Sequence, residues 1–305
     1  YEADKNPLGL GYAIYGDVLF DPWLANNPFE KPACCSNVLF LPGIMGSRLY
    51  DQTGTVECGD VLTGPDCFKD QELWVSSTDS LQEKLVLDVS GKSVNNIYTK
   101  NDTQRLSGEI DEEGIVDDAY NFNIYESFIN DLRNWKDVDK IIADYAFIPY
   151  DWRLSLDDII NNGKVATKDH LLYSQTQDFS ESFILKKLET LQSNSKSGKV
   201  TIIAHSQGGL VAKALIQKLK DTNNPLYDKI DKIIFIAVPQ VGTPDAFINL
   251  LHGADIGFGG LIMSNERSRQ LSENMPAIYN LLPSADYFTM AQIPFAPDKL
   301  ITFEN

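Results

Sequence analysis

Two periods of apolar residues run along this chain and predict its elements. Val38 to Leu41 is an unbroken apolar run closed by Pro42 and Gly43, the pattern of a buried strand entering a loop. Val200 to Ala204 and Ile233 to Val238 repeat that pattern, and Ile141 to Pro149 reads as the approach to a further strand. Elsewhere the spacing is helical. Ile124, Phe128, Ile129, Leu132 and Trp135 share one face, as do Phe183, Leu185, Leu188 and Leu191, and a third helix is predicted over residues 208–220. Buried strands alternating with helices of these lengths predict an α/β fold, a mostly parallel sheet with helices on both faces. Residues 1–36, rich in Pro, Gly and aromatics, read as an irregular lead-in. Residues 51–120 are polar and weakly periodic, as expected of a functional loop region or an insertion. Within them Leu73 and Trp74 stand out, either as an exposed lid or as a small satellite core.

One junction carries chemistry. In Val200-Thr201-Ile202-Ile203-Ala204-His205-Ser206-Gln207-Gly208-Gly209-Leu210-Val211 an apolar strand stops at a serine and a helix starts at once. A turn this tight, the nucleophile elbow, lifts the Ser206 hydroxyl above the sheet. It demands small residues two before and two after the serine, and Ala204 and Gly208 meet that demand. A serine that merely caps a helix needs no such neighbours. Ser206 is therefore the candidate catalytic nucleophile. At a helix N-terminus the free N–H groups and the dipole favour developing negative charge, so the Gln207 N–H is a candidate oxyanion donor. The second candidate is the Ile44 N–H, in the loop Pro42-Gly43-Ile44-Met45-Gly46-Ser47 that follows the first strand. An acyl-enzyme formed on Ser206 needs neither metal nor cofactor.

Charge and composition narrow the partners. A net charge of -17 argues against nucleic acid, because such a surface repels phosphate backbones. No apolar run approaches the roughly 18 residues of a membrane-crossing helix, so lipid contact is expected to be peripheral, at a membrane or lipid-particle surface. Cys34 and Cys35 are adjacent and ill placed to bond each other. Cys58 and Cys67 flank eight residues rich in turn formers, which suit either a disulfide-closed loop or two free thiols. A disulfide there implies an extracellular or other exported compartment. The chain opens at Tyr1 with no initiator Met, as expected of a processed chain or a fragment. Asn101-Asp102-Thr103 fits a glycosylation acceptor. The acidic residues Asp111, Glu112, Glu113, Asp117 and Asp118 lack the alternation and the Gly placement of a calcium loop and read as a solvated loop.

Five segments in order give the chain a family resemblance. Pro42-Gly43-Ile44-Met45-Gly46-Ser47-Arg48-Leu49, Pro149-Tyr150-Asp151-Trp152-Arg153, the elbow at Ala204–Gly209, Pro239-Gln240-Val241-Gly242-Thr243-Pro244, and Met275 to Ser284 with its Leu-Leu-Pro-Ser end span residues 38–284. Together they resemble the lecithin:cholesterol acyltransferase and lysosomal phospholipase family. Pro-Tyr-Asp-Trp-Arg and Leu-Leu-Pro-Ser are the specific ones; the other three are shared by many hydrolases. The resemblance implies an α/β-hydrolase fold in one domain over residues 1–305, a lid or membrane-contact insertion at 51–120 and a cap segment at 241–290. It also implies a lipid ester substrate, with Ser206 attacking the ester carbonyl and water or an alcohol taking the acyl group. By a looser match it sets Cys58, Cys67 and Trp74 where the family carries a disulfide-bounded lid and a membrane-touching tryptophan.

The general base is the open position. In α/β hydrolases the acid and then the histidine follow the serine. His170 precedes Ser206, His205 is its neighbour and cannot fold back onto it, and His252 falls on the cap segment. Asp286 and Asp298 are weak candidates for the acid. The expectation is that the chain is incomplete and that acid and base lie beyond Asn305. Asp151 and Arg153 read as a buried ion pair or as part of an acyl pocket. A soluble carboxylesterase and a degenerate hydrolase serving as a binding module are the competing readings. The sequence leaves the oligomeric state open.

Overall fold

The computed structural model describes residues 35–51, 71–101, 103–104, 110–111, 114–166, 170–174, 178–254, 256 and 262–290, with the backbone alone at 103–104, 110–111 and 290. The predicted lead-in up to residue 34, Cys58, Cys67, Asp102, Glu112, Glu113 and Asp298 lie outside the described residues.

In chain order, β1 (Asn37–Leu41) is followed by β2 (Leu49–Asp51), β3 (Gln71–Trp74), α1 (Asp79–Glu83) and β4 (Ile97–Lys100). Two small antiparallel pairs come next, β5 (Thr103–Gln104) with β6 (Ile110–Asp111) and β7 (Asp118–Ala119) with β8 (Phe122–Asn123). Then come α2 (Glu126–Asp137), β9 (Tyr145–Phe147), α3 (Leu156–Asn161), β10 (Lys164–Val165), β11 (His170–Leu172) and α4 (Phe183–Asn194). They are followed by β12 (Val200–His205), α5 (Gln207–Asp221), β13 (Ile230–Ile236), α6 (Pro244–His252), α7 (Asn265–Glu273), α8 (Pro276–Asn280) and α9 (Ala285–Met290).

The central sheet has the order β13-β12-β1-β9, every pair parallel. Alternate residues of its strands point to opposite faces. Leu39 and Leu41 of β1 and Ile202 and Ala204 of β12 pack with residues of α3, α4 and α5. Val38, Phe40 and Ile203 face the other way and pack with Ile129 and Leu132 of α2. Helices thus cover both faces, as the alternation of elements predicts. Asn37 fixes the start of β1: its Nδ2 donates to Leu191 O at 2.9 Å, and its Oδ1 accepts from the N–H of Ala143 (3.0 Å) and Asp144 (2.8 Å). From β1 the chain goes on to β9 at one edge, and from β12 to β13 at the other. The C-terminal ends of β1 and β12 therefore bound a topological switch point, where open α/β sheets place their ligands.

Two elements differ from the sequence-based expectation. Residues 51–120 hold regular structure: β2, β3 and β4 join β10 and β11 in an antiparallel sheet of order β10-β11-β4-β2-β3. These strands are two to four residues long, too short for an alternating pattern to register. The exposed-lid reading of Leu73 and Trp74 is corrected. Leu73 is fully buried and Trp74 is 4% exposed, within the same core as the central sheet. An indole is buried readily where its N–H finds an acceptor, and Trp74 Nε1 donates to Met45 O at 2.7 Å. Its ring also meets Trp152 edge-on, with centroids 5.7 Å apart.

The second departure is β13. The run predicts a buried strand, but among the described residues β13 is the edge of the sheet: Ile234 and Ile236 are each 44% exposed and Phe235 36%. Among the described residues its only strand partner is β12.

Candidate active site

The predicted elbow forms between β12 and α5. Ser206 sits at φ 51°, ψ -124°, a region that costs a non-glycine residue of order 1–3 kcal/mol and is held only where surroundings enforce it. Two features enforce it here. Ser206 N–H donates to Ile236 O of the neighbouring strand at 2.9 Å, and Ser206 O accepts from Gly209 N–H at 3.0 Å. The small residues are required by contact: a Cβ on Gly208 would overlap the carbonyl oxygens of Leu41 and Pro42, and one on Gly209 would overlap the side chain of Val238. Gly208→Ala is therefore expected to destabilise the fold by about 1–3 kcal/mol. Urea unfolding of the variant checks this, and an unchanged midpoint would mean the helix start has room that the close approach denies.

The loop after β1 lies directly against this elbow. A Cβ on Gly43 would stand 3.0 Å from Ser206 Cβ and 3.0 Å from His205 Nδ1, so any larger residue would crowd the elbow. Gly46 N–H donates to Gly43 O at 3.0 Å, closing a turn with Met45 at φ 62° and Ile44 at its first corner. Among the described residues no acceptor is bonded to the N–H of Ile44 or of Gln207. The structure brings both predicted donors to the switch point beside a half-buried Ser206.

The Pro-Tyr-Asp-Trp-Arg segment holds this loop. Tyr150 Oη donates to Pro42 O at 2.5 Å, Tyr150 N–H to Ser47 Oγ at 3.1 Å, and Trp152 Nε1 to Ser47 O at 3.0 Å. Trp152 O accepts from Gln207 Nε2 at 3.3 Å, tying the same segment to the elbow, while Gln207 Oε1 is buried with no partner among the described residues. Asp151 and Arg153 form the buried pair that the sequence suggests, with Arg153 Nε 2.8 Å and Nη2 2.6 Å from the carboxylate oxygens. The later segments close the ring: Ala277 N–H donates to Arg153 O at 3.2 Å, Thr243 N–H to Leu281 O at 2.8 Å, and Ser284 N–H to Val241 O at 2.9 Å. Segments scattered over the chain thus form one hydrogen-bonded frame around the ends of β1 and β12. The sequence shows that these segments are present; it does not show that they bond to each other.

The three histidines are placed elsewhere. His205 Nδ1 lies 2.8 Å from Tyr125 Oη, and burial holds its imidazole below the ordinary pKa. His170, on β11, is buried and stacked on Tyr98 with centroids 4.0 Å apart. His252 is exposed in the last turn of α6. Among the described residues no side chain is hydrogen-bonded to Ser206 Oγ. Of the acidic residues weighed for calcium, Asp117 Oδ1 and Asp118 Oδ1 lie 3.0 and 3.7 Å from Arg48 Nη2. No group of three or more potential metal ligands occurs among the described residues. Tyr125 is the site residue that sequence reasoning missed: it falls inside a predicted helical run, and no spacing reveals where a phenol reaches.

No helix among the described residues is long and apolar enough to cross a membrane. A comparison with curated proteins gave no match. A family profile described as "Lecithin:cholesterol acyltransferase" matches residues 120–304. That span holds Pro149–Arg153, the elbow, the turn at Pro239–Pro244 and the Leu-Leu-Pro-Ser segment. The loop carrying Ile44 lies outside it and is joined to it by the Tyr150, Trp152 and Tyr125 hydrogen bonds. With a match over more than half of its residues, the chain belongs to the lecithin:cholesterol acyltransferase family.

Proposed function

We propose that this protein hydrolyses or transfers acyl groups of phospholipid-like esters through an acyl-enzyme on Ser206. The observation that carries the reading is the strained elbow of Ser206 pressed against the Gly43 loop at the switch point. Ser206 Oγ attacks the ester carbonyl, and the developing oxyanion is held by the N–H groups of Ile44 and Gln207. The alcohol leaves, and water or a second alcohol takes the acyl group. Family membership supports a lipid ester as the substrate class. The proton from Ser206 needs a base, and none of the three histidines is hydrogen-bonded to Ser206; the reading assigns acid and base to residues outside those described.

A fluorescent phosphonate lipid tests the reading. Incubated with the protein at its natural length, it should form one covalent adduct, mapped by peptide mass to Ser206. An adduct on another residue, or none on demonstrably folded protein, would overturn it. That no base is hydrogen-bonded to Ser206 among the described residues leaves one second reading, a degenerate hydrolase that binds lipid without turnover. Reversible vesicle binding with no adduct would select that reading.

A further inference from the structure

One peptide unit in the oxyanion loop is held at both ends by buried phenols. Tyr150 Oη donates to the Pro42 carbonyl, and the Gly43 N–H donates to Tyr125 Oη at 2.9 Å. Carbonyl and N–H belong to the same planar unit, so the two bonds fix its plane. Tyr125 is itself tied onward. Its Oη is 2.8 Å from His205 Nδ1, on the residue before Ser206. A phenol that accepts from Gly43 has its own proton to give, and a neutral imidazole with its proton on Nε2 accepts it at Nδ1. The Tyr125 ring is seated independently of these bonds, edge-on to Phe40 with centroids 5.1 Å apart and 8% exposed.

The two proposed oxyanion donors follow different strands. Ile44 follows β1 and Gln207 follows β12, so their separation depends on what joins loop to elbow above the sheet. Tyr125 makes one such join, beside the one through Trp152: its Oη accepts from the Gly43 N–H and shares a hydrogen bond with His205 Nδ1. We infer that Tyr125 is a positioning residue for the oxyanion hole, acting through the Gly43 N–H and His205 Nδ1 rather than by touching substrate. This rests on the acyl-enzyme reading above. Without the hydroxyl, the buried Gly43 N–H loses its acceptor, the peptide is held at the Pro42 carbonyl alone, and the Ile44 N–H that follows is less firmly aimed.

Tyr125→Phe tests this, because it keeps the ring and removes only the bridging oxygen. Turnover of a short soluble ester by the natural-length protein is read per phosphonate-titrated Ser206. Hydrogen exchange at the Gly43 amide is read alongside it. The expected result is a kcat lower by roughly 10–100-fold, KM within about twofold, and faster Gly43 exchange. An unchanged kcat per titrated site would overturn the inference, whatever the exchange shows. So would a loss of rate with Gly43 exchange unaltered, since the loop would then be held by other means. If Ser206→Ala retains turnover, the acyl-enzyme reading falls instead, which separates that failure from this one.

Discussion

Ser206→Ala in the natural-length protein should lower lipid turnover by about 10⁶-fold while leaving vesicle binding and the unfolding midpoint unchanged. The size follows from the role: without the hydroxyl there is no acyl-enzyme, and only binding and the N–H groups of Ile44 and Gln207 remain to help water. The unchanged stability follows from the geometry. Ser206 Oγ makes no hydrogen bond among the described residues, and Ala can occupy φ 51° with the strain that Ser already bears. The backbone bonds to Ile236 and Gly209 that enforce the elbow do not involve the side chain. Fatty-acid release from vesicles, with unfolding followed in parallel, checks both halves. Turnover within tenfold of the parent would remove Ser206 from the mechanism.

Arg153→Ala should cost about 3–5 kcal/mol of stability, a large part of the roughly 5–15 kcal/mol that a domain possesses. The guanidinium is fully buried and spends its donors on Asp151, on Leu85 O at 2.8 Å and on Ser93 Oγ at 3.1 Å. Truncating it leaves a carboxylate that is 4% exposed with its cation gone, and a carbonyl with one acceptor site unmet. The energy lies in that orphaned charge rather than in the pair itself. An Asp151→Leu, Arg153→Met double variant should therefore recover much of the loss. Urea unfolding of the single and double variants decides it. A single variant weaker by less than 1 kcal/mol would mean that water reaches Asp151.

The elbow was legible because its signals coincide: an apolar run, a serine and small residues at two fixed offsets. The contacts of Gly208 and Gly209 show why those offsets matter. The antiparallel sheet was not legible, because strands such as Lys164–Val165 are too short to display a period. Trp74 was open to two readings, since an indole in a polar stretch is lid or core according to whether its N–H finds an acceptor, and Met45 O lies far off in sequence. At Ile230–Ile236 the run reports affinity for apolar surroundings and says nothing of whether a neighbour is there to supply them. Tyr150 was legible as a motif member, but its bond to Pro42 O was not. That bond spans more than a hundred residues, and a motif records residue type rather than reach.

The edge position of Ile230–Ile236 among the described residues has a consequence for how this chain behaves in a crowded solution. Among the described residues no strand pairs with its outer backbone donors and acceptors, which form a template for another strand, and three large apolar side chains beside it reward any that arrives. Natural edges are commonly guarded by charge, by proline or by a bulge that turns the strand away. Here the guards are Asp231 and Lys232 at the strand's beginning, while its far end, next to the elbow, is Ile-Ile-Phe-Ile without a charge. Among the described residues, this apolar stretch of strand lies next to the elbow of Ser206. A strand that pairs there, from the same polypeptide or from another molecule, would lie one strand away from the serine, because Ile236 O already holds the Ser206 N–H.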